Sequence, residues 1–176
     1  MVAQLDTKTV YTFMDSLISI KKYVETAKNL GYQTLGIMDI DNLYGVYHFM
    51  ETATEQGIQP LLGVEMTLDY AGLPLNLRFL ALDSQGYRNL MKLSTLKMIG
   101  KSKWEEFQHL LEGIAVIVPV FEGIEALDLG REFYIGVFSD TPKQAFPHAT
   151  LPLQTVRYFD TGDLETLQML CAIREN

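Results

Sequence analysis

The 176-residue chain carries 14 lysines and arginines against 22 aspartates and glutamates, a formal net charge of −8. That balance argues against a module that grips nucleic acid by itself, because phosphate binding works through counterion displacement by basic side chains. Hydrophobic residues at 48% and charged residues at 20% are those of a globular domain with one sizeable core. No run approaches the ~20 apolar residues of a membrane span, and the opening MVAQLDTK lacks the basic start and apolar stretch of a secretory signal. The single cysteine, Cys171, excludes an internal disulfide framework and suits a cytoplasmic protein.

Short apolar runs alternate with amphipathic segments along the chain. VAQL (2–5) reads as a strand. In SLISIKKYVETAKNLG (16–31), Leu17, Ile20, Val24, Ala27 and Leu30 recur at helical spacing, and Gly31 supplies the stop. TLGIMD (34–39) is apolar enough for a strand buried on both faces. YGVYHFMETATEQG (44–57) predicts a second helix closed by Gly57, and IQPLLGVEMTL (58–68) and LPLNLRFLALD (73–83) predict two strands joined by a hairpin at DYAG (69–72). SQGYRNLMKLSTLKM (84–98) is helical. SKWEEFQHLLEG (102–113) predicts a further helix with Ser102 as cap and Glu105 as its capping-box partner. IAVIVPV (114–120), EFYIGVF (132–138) and LPLQTVRYF (151–159) predict the last strands, and TGDLETLQMLCAIREN (161–176) a closing helix.

Strands alternating with helices favour a parallel α/β architecture, open sheet or barrel. In either, active sites gather at the carboxyl ends of the strands. The residues in those places are Asp6, Asp39, Asp41, Glu65 and Asp83. There is no internal repeat, low-complexity tract, glycine-rich phosphate loop or Ser-His-Asp spacing.

Several stretches carry a family resemblance. LDTKTVYTFMDS (5–16) lines up with a histidine-any-histidine opening, and LGIMDIDNLYG (35–45) with a Thr-Asp-His-Gly-Asn-Met-Tyr-Gly segment. GIQPLLGVEM (57–66) is similar to a Gly-Ile-Lys-Pro-Ile-Ile-Gly-Cys-Glu segment, and LDSQGYRNLMKLST (82–95) to the helix that follows it. Together they resemble the polymerase and histidinol phosphatase (PHP) domain at the N-terminus of bacterial DNA polymerase III alpha subunits, replicative polymerases of the C family. The tail from Leu151 also resembles that domain, and between about residues 97 and 150 the match is loose. The resemblance implies a distorted seven-stranded β/α barrel with parallel strands and outer helices. It implies that residues 1–176 form one PHP-like domain from the N-terminal part of a longer polymerase. Active members hold metals on histidines and carboxylates at the strand ends and hydrolyse phosphoesters.

Carried over residue by residue, the ligand set is broken. The first two histidines fall on Asp6 and Lys8, the next aspartate is kept as Asp39, and the histidine after it is Ile40. The glutamate is kept as Glu65, the fourth-strand histidine falls on Asn76, and the late aspartate and histidine fall near Thr155 and Arg157. Only Asp39 and Glu65 survive as remnant ligand positions, with Asp6, Lys8, Ile40, Asn76 and Arg157 as substituted ones. A multinuclear site needs several imidazoles or carboxylates on each ion; Ile40 offers no lone pair, and the ammonium of Lys8 repels a cation. The expectation is no intact metal site and no catalytic residue. Lys8, with Arg157 or Arg78, would replace the lost metal charge by pairing with Glu65 and Asp39. The rival reading is a residual phosphoesterase using Asp6, Asp39, Asp41 and Glu65 on magnesium. Against it, Asp41 with Asn42 reads as a helix cap.

His48, His109 and His148 match no ligand position, Trp104 reads as a packing anchor, and Cys171 as an inert buried thiol. Arg88, Lys92, Lys97, Lys101 and Lys103 form one basic stretch, read as a solvated helix face. The resemblance implies a structural or interaction module. Its partners would be the polymerase core of the same chain and replisome proteins, a proofreading exonuclease among them. DNA would be met only through the parent, and no membrane is involved. No cofactor is expected in this piece, whereas the parent would use magnesium.

Overall fold

The computed structural model describes residues 3–142 and 144–175. Two compact units emerge, one of residues up to Leu62 together with those from Thr155, the other of Gly63–Gln154. Among the described residues seven strands hydrogen-bond in chain order, β1 to β7.

In the first unit, β1 (Ala3–Gln4) pairs in parallel with β2 (Thr34–Ile40) through Ala3 opposite Thr34. Val2, part of the expected strand, lies outside the described residues. Six of the seven β2 residues are buried, as its continuous apolar run requires. Just after β1 the chain approaches β2 so closely at Gly36 that a Cβ there would sit 2.4 Å from the carbonyl oxygen of Leu5. α1 (Ile20–Asn29) buries Ile20, Tyr23, Val24 and Ala27, and α2 (Val46–Glu55) buries Val46, Phe49 and Ala53. The Tyr23 and Phe49 rings stack at 6.0 Å. α1 starts four residues later than its periodicity predicts. Ser16 is spent elsewhere: its hydroxyl donates to the carbonyl of Lys8 and accepts from the N–H of Ile18, while the N–H of Leu17 reaches the carbonyl of Arg157. Residues 16–19 are thereby held out of the helix, and Leu17 is only half-buried. The last helix, α5 (Asp163–Glu175), also belongs to this unit and buries Leu167. Asn176 lies outside the described residues.

In the second unit, β3 (Gln59–Tyr70, most of whose residues belong here) and β4 (Leu73–Ala81) form the expected hairpin. Ala71 and Gly72 both have positive φ, 52° and 89°, the geometry of a two-residue type I′ turn. The pairing of β4 with β5 (Ile114–Pro119) is also antiparallel, so the sheet is mixed rather than parallel throughout; β5 with β6 (Tyr134–Val137) and β6 with β7 (Thr150–Pro152) are parallel. β7 is shorter than its apolar run suggested.

α3 (Ser84–Met98) has the predicted bounds because Asp83 caps it, accepting from the N–H of Gly86 at 2.8 Å. A Cβ on Gly86 would lie 1.9 Å from the carbonyl oxygen of Gly113, so α3 packs on the start of β5 only with glycine there. The helix expected over 102–113 is a single turn, α4 (Trp104–Phe107), followed by a 3-10 turn at Gln108–Leu110. Its capping partner is Glu106, not Glu105: Glu106 accepts from the N–H groups of Ser102 and Lys103, both at 3.2 Å. Tertiary packing outweighs local signal here. Trp104, Phe107 and Leu111 are all buried. Arg131 donates to the carbonyls of Leu111 and Ile114, its guanidinium pKa lowered by burial, and fixes the chain where a longer helix would run.

Candidate functional site

The positions that the family resemblance aligns with metal ligands fall into three groups. The first follows β1. Asp6 and Lys8 are both fully buried, and the Lys8 ammonium lies 2.5 Å from Asp6 Oδ1. The other carboxylate oxygen of Asp6 accepts from the Thr155 hydroxyl at 2.7 Å. The backbone reinforces this contact: Thr7 bridges Val156 in parallel, the N–H of Val156 donates to the carbonyl of Asp6, and the N–H of Lys8 donates to the carbonyl of Val156. The Thr7 hydroxyl donates to the phenol oxygen of Tyr23, which donates to the carbonyl of Gly36. Burial raises the phenol pKa of Tyr23 well above its ordinary value of 10.0.

The second group surrounds Asp39 near the end of β2. Its carboxylate accepts from the backbone N–H of Thr9 at 2.6 Å, the Thr9 hydroxyl at 2.7 Å and the Thr12 hydroxyl at 2.6 Å. All of these groups are buried. The Thr12 hydroxyl in turn accepts from the N–H of Ile40 at 3.2 Å, tying the loop after β1 to the end of β2. Asp41 is no helix cap, since α2 begins at Val46 with Gly45 before it. Asp41 has a φ of 59°, and Asn42 shapes the turn by donating to the carbonyls of Ile40 and Tyr11 and accepting from the N–H of Tyr44.

The third group lies on the β3–β4 hairpin. Glu65 and Arg78 face each other in register, both almost fully buried, with Arg78 Nη2 at 3.1 Å from Glu65 Oε2. Asn76, at the position of the fourth-strand histidine, donates to Glu65 Oε1 at 2.8 Å and accepts from Arg78 Nη1 at 3.3 Å. One amide therefore serves both charged partners. Asp83, the remaining strand-end acid, is the cap of α3.

Arg157 pairs with Asp15 at 2.5 Å, and Arg174 of α5 reaches the same carboxylate oxygen at 3.1 Å. Cys171 is half-buried rather than buried, its thiol 3.6 Å from Asp15 Oδ1 and 3.7 Å from the carbonyl of Met14. His48 lies on α2 and His109 in the 3-10 turn, while His148 stacks on Phe133 at 4.0 Å. The sequence reading located the acids and named Arg78 among the cations for Glu65, but it missed Thr9, Thr12 and Thr155 as donors, Asp6 as a partner of Lys8 and Asp15 as that of Arg157. Lys8 pairs with Asp6, Arg78 with Glu65 as expected, and Arg157 with Asp15.

Residues 4–139 match the PHP domain family. The chain belongs to that family. Along its whole length it is 49% identical to the DNA polymerase III subunit alpha of Streptococcus pyogenes serotype M1 and 27% identical to that of Staphylococcus epidermidis, spanning 17% of each relative. Two solved structures share its fold. One is a crystal structure of a protein designated a metal-dependent phosphoesterase, from Bifidobacterium adolescentis: TM-score 0.58 and 12% identity over 98% of this chain and 84% of that one. The other is an amidohydrolase from Chromobacterium violaceum, with TM-score 0.58 and 10% identity over 96% of both chains. The seven-stranded α/β fold implied by the sequence is thus that of the PHP class.

The residues of this PHP site do not fit a metal cluster. Among the described residues no three His, Cys, Asp or Glu side chains are grouped to hold an ion. The Asp6 carboxylate is engaged by an ammonium, Glu65 faces a guanidinium, and Asp39 is filled by three neutral donors. A cation would have to displace those partners, and Ile40 gives it no ligand in exchange.

Proposed function

We propose that this PHP domain is a structural and interaction module of a bacterial DNA polymerase III alpha subunit, with no phosphoester hydrolysis of its own. The longer protein would extend primed DNA templates from deoxynucleoside triphosphates with magnesium, in the cytoplasm, through acidic residues outside this chain. Its partners would be the polymerase core of the same chain and replisome proteins, a proofreading exonuclease among them. The whole of residues 1–176 would act as one PHP-like piece of that polymerase.

The observation that carries this reading is the filling of the acid positions by Lys8, Arg78 and threonine hydroxyls, in a chain 49% identical over its full length to a polymerase subunit. Lys8 and Arg78 supply fixed positive charge at positions where relatives of the phosphoesterase type would place an ion. Metal-dependent hydrolysis would need a metal-bound water and open coordination positions, and these partners occupy the acids that would supply them. The surface supports an interaction role. Phe13, Tyr44 and Tyr47 are exposed at 74%, 63% and 66% on the loop after β1 and the start of α2, and exposed aromatics are the residues enriched in protein interfaces. Among the described residues no helix is long and apolar enough to cross a membrane.

The test is to incubate the chain with bis(p-nitrophenyl) phosphate and manganese, beside Asp39→Asn and Glu65→Gln. No turnover above a metal-only blank is expected. Turnover abolished by either substitution would establish the residual phosphoesterase of Asp6, Asp39, Asp41 and Glu65 instead.

A further inference from the structure

We propose that the Asp6–Lys8–Thr155 group has become a metal-free closure, fastening the segment that leads into α5 to the segment that follows β1 in the same compact unit. The inference rests on the reading above, that no ion is held here, and assigns the group a different task.

The geometry is specific. Residues 6–8 and 155–157 run side by side within the first unit, joined by the Thr7–Val156 bridge and two backbone hydrogen bonds, Val156 N–H to Asp6 at 2.9 Å and Lys8 N–H to Val156 at 3.0 Å. Asp6 sits at the middle of this seam. One carboxylate oxygen takes the ammonium of Lys8, from the same segment, and the other takes the hydroxyl of Thr155, from the opposite segment. The Ser16 hydroxyl, close to the carbonyls of both Lys8 and Arg157 at 2.6 and 3.1 Å, closes the next step of the seam. A metal ion would draw ligands from separate strand ends onto one point. Here the carboxylate does so, with the lysine charge keeping it tolerable in a fully buried place. Lys8 thus acts on the far segment through Asp6, as a positioning residue.

The closure should be independent of divalent cations and dependent on Asp6 keeping its partners. The test combines thermal unfolding with amide hydrogen exchange on the 176-residue chain. The wild type is expected to melt at the same temperature in EDTA and in millimolar manganese. Lys8→Met should lower the midpoint by roughly 10 °C, the size set by stranding a buried charge, and should speed exchange at the amides of Lys8 and Val156. Combining Lys8→Met with Asp6→Asn should recover at least half of that loss, since no charge is then left stranded. Lys8→His should not gain stability from manganese, because Ile40 and the filled Asp39 leave the imidazole without companion ligands. If Lys8→Met does not fold, Thr155→Val carries the test. It removes one donor from Asp6 and leaves the ion pair, and faster exchange at Val156 is expected. A manganese-dependent rise in the wild type or in Lys8→His overturns the closure, and so does unchanged exchange at Val156 in the variants. These readouts do not involve phosphodiester turnover, so the closure can fail while the proposed function stands.

Discussion

Asp6 and Asp39 pose the same physical problem and meet different solutions. Both are buried carboxylates in the same compact unit, at positions that only the family resemblance aligns with metal ligands. Asp6 is balanced by a full positive charge, Lys8 at 2.5 Å. Asp39 receives three short hydrogen bonds from neutral groups of Thr9 and Thr12. A carboxylate can be kept in a protein interior either by a counter-ion or by a ring of donors that replaces water. The two differ in what happens when one partner is lost. Removing a counter-ion strands a charge, whereas removing one of three donors leaves the other two in place.

The largest effects should therefore come from the cations. Lys8→Met is expected to cost about 3–5 kcal/mol in urea unfolding, and Arg78→Met, which strands Glu65 on the hairpin, about as much. Asn76→Ala should cost less than Arg78→Met, because it removes one hydrogen bond from each charged side chain and leaves their 3.1 Å pairing. Were Arg78→Met no worse than Asn76→Ala, the counter-ion account of Glu65 would be wrong.

Next in size are the Asp39 donors. Thr12→Val removes one hydroxyl from the carboxylate and also leaves the N–H of Ile40 without that acceptor, at a cost of about 1.5–3 kcal/mol. Thr12→Ser should retain most of this, since the hydroxyl rather than the methyl makes both bonds. A loss in Thr12→Val matching that of Lys8→Met would erase the contrast between the two carboxylates.

The contrast also explains what could be read from sequence alone. The acids were legible because strand ends and glycine-closed helices mark themselves: Asp83 before SQG, the DYAG turn, and the apolar run before Asp39. What would close each acid was not, because Thr155 meets Asp6 from 149 residues away and Thr12 meets Asp39 from 27 away. One expected pairing, Arg78 with Glu65, was legible for a local reason. The two-residue turn places Tyr70 opposite Leu73, and counting back along the hairpin puts Glu65 opposite Arg78. The misplaced helix starts have different causes. Ser16 reads as the start of a helix but bonds to the carbonyl of Lys8, eight residues back and outside the window that a local pattern covers. Ser102 reads as a cap, yet the local box is shifted by one residue, with Glu106 accepting from the N–H groups of Ser102 and Lys103.

Tyr23 tests the surroundings of the Asp6 pair by pH. Its phenol holds its proton in the folded state because burial disfavours the phenolate. The folded pKa is raised, so the contribution is fully present below the unfolded value of 10.0 and is lost as pH rises above it. Tyr23→Phe should cost about 1 kcal/mol at pH 7 through the lost bond to Gly36. It should also make the midpoint fall less steeply above pH 10 than in the wild type, measured in parallel urea titrations. Equal slopes would remove Tyr23 from the alkaline response.

The smallest effect sharpens the comparison furthest, because it repeats the lysine–carboxylate chemistry of Asp6 at the surface. Glu106 and Lys101 approach at 2.7 Å with side chains 29% and 48% exposed. The carboxyl pKa of Glu106 is lowered, first by the hydrogen bond from Lys101 and then by the N–H of Lys103. Its contribution is therefore present above the ordinary value of 4.5 and is lost as pH falls through the lowered one. The difference between wild type and Glu106→Gln should be slight at pH 7 and shrink both on acidification and in molar salt, since water and ions already screen the pair. The difference between wild type and Lys8→Met should survive the same salt. A salt response of equal size at both sites would mean that the buried pair is hydrated, and that Asp6 does not need its lysine in the way the interior position demands.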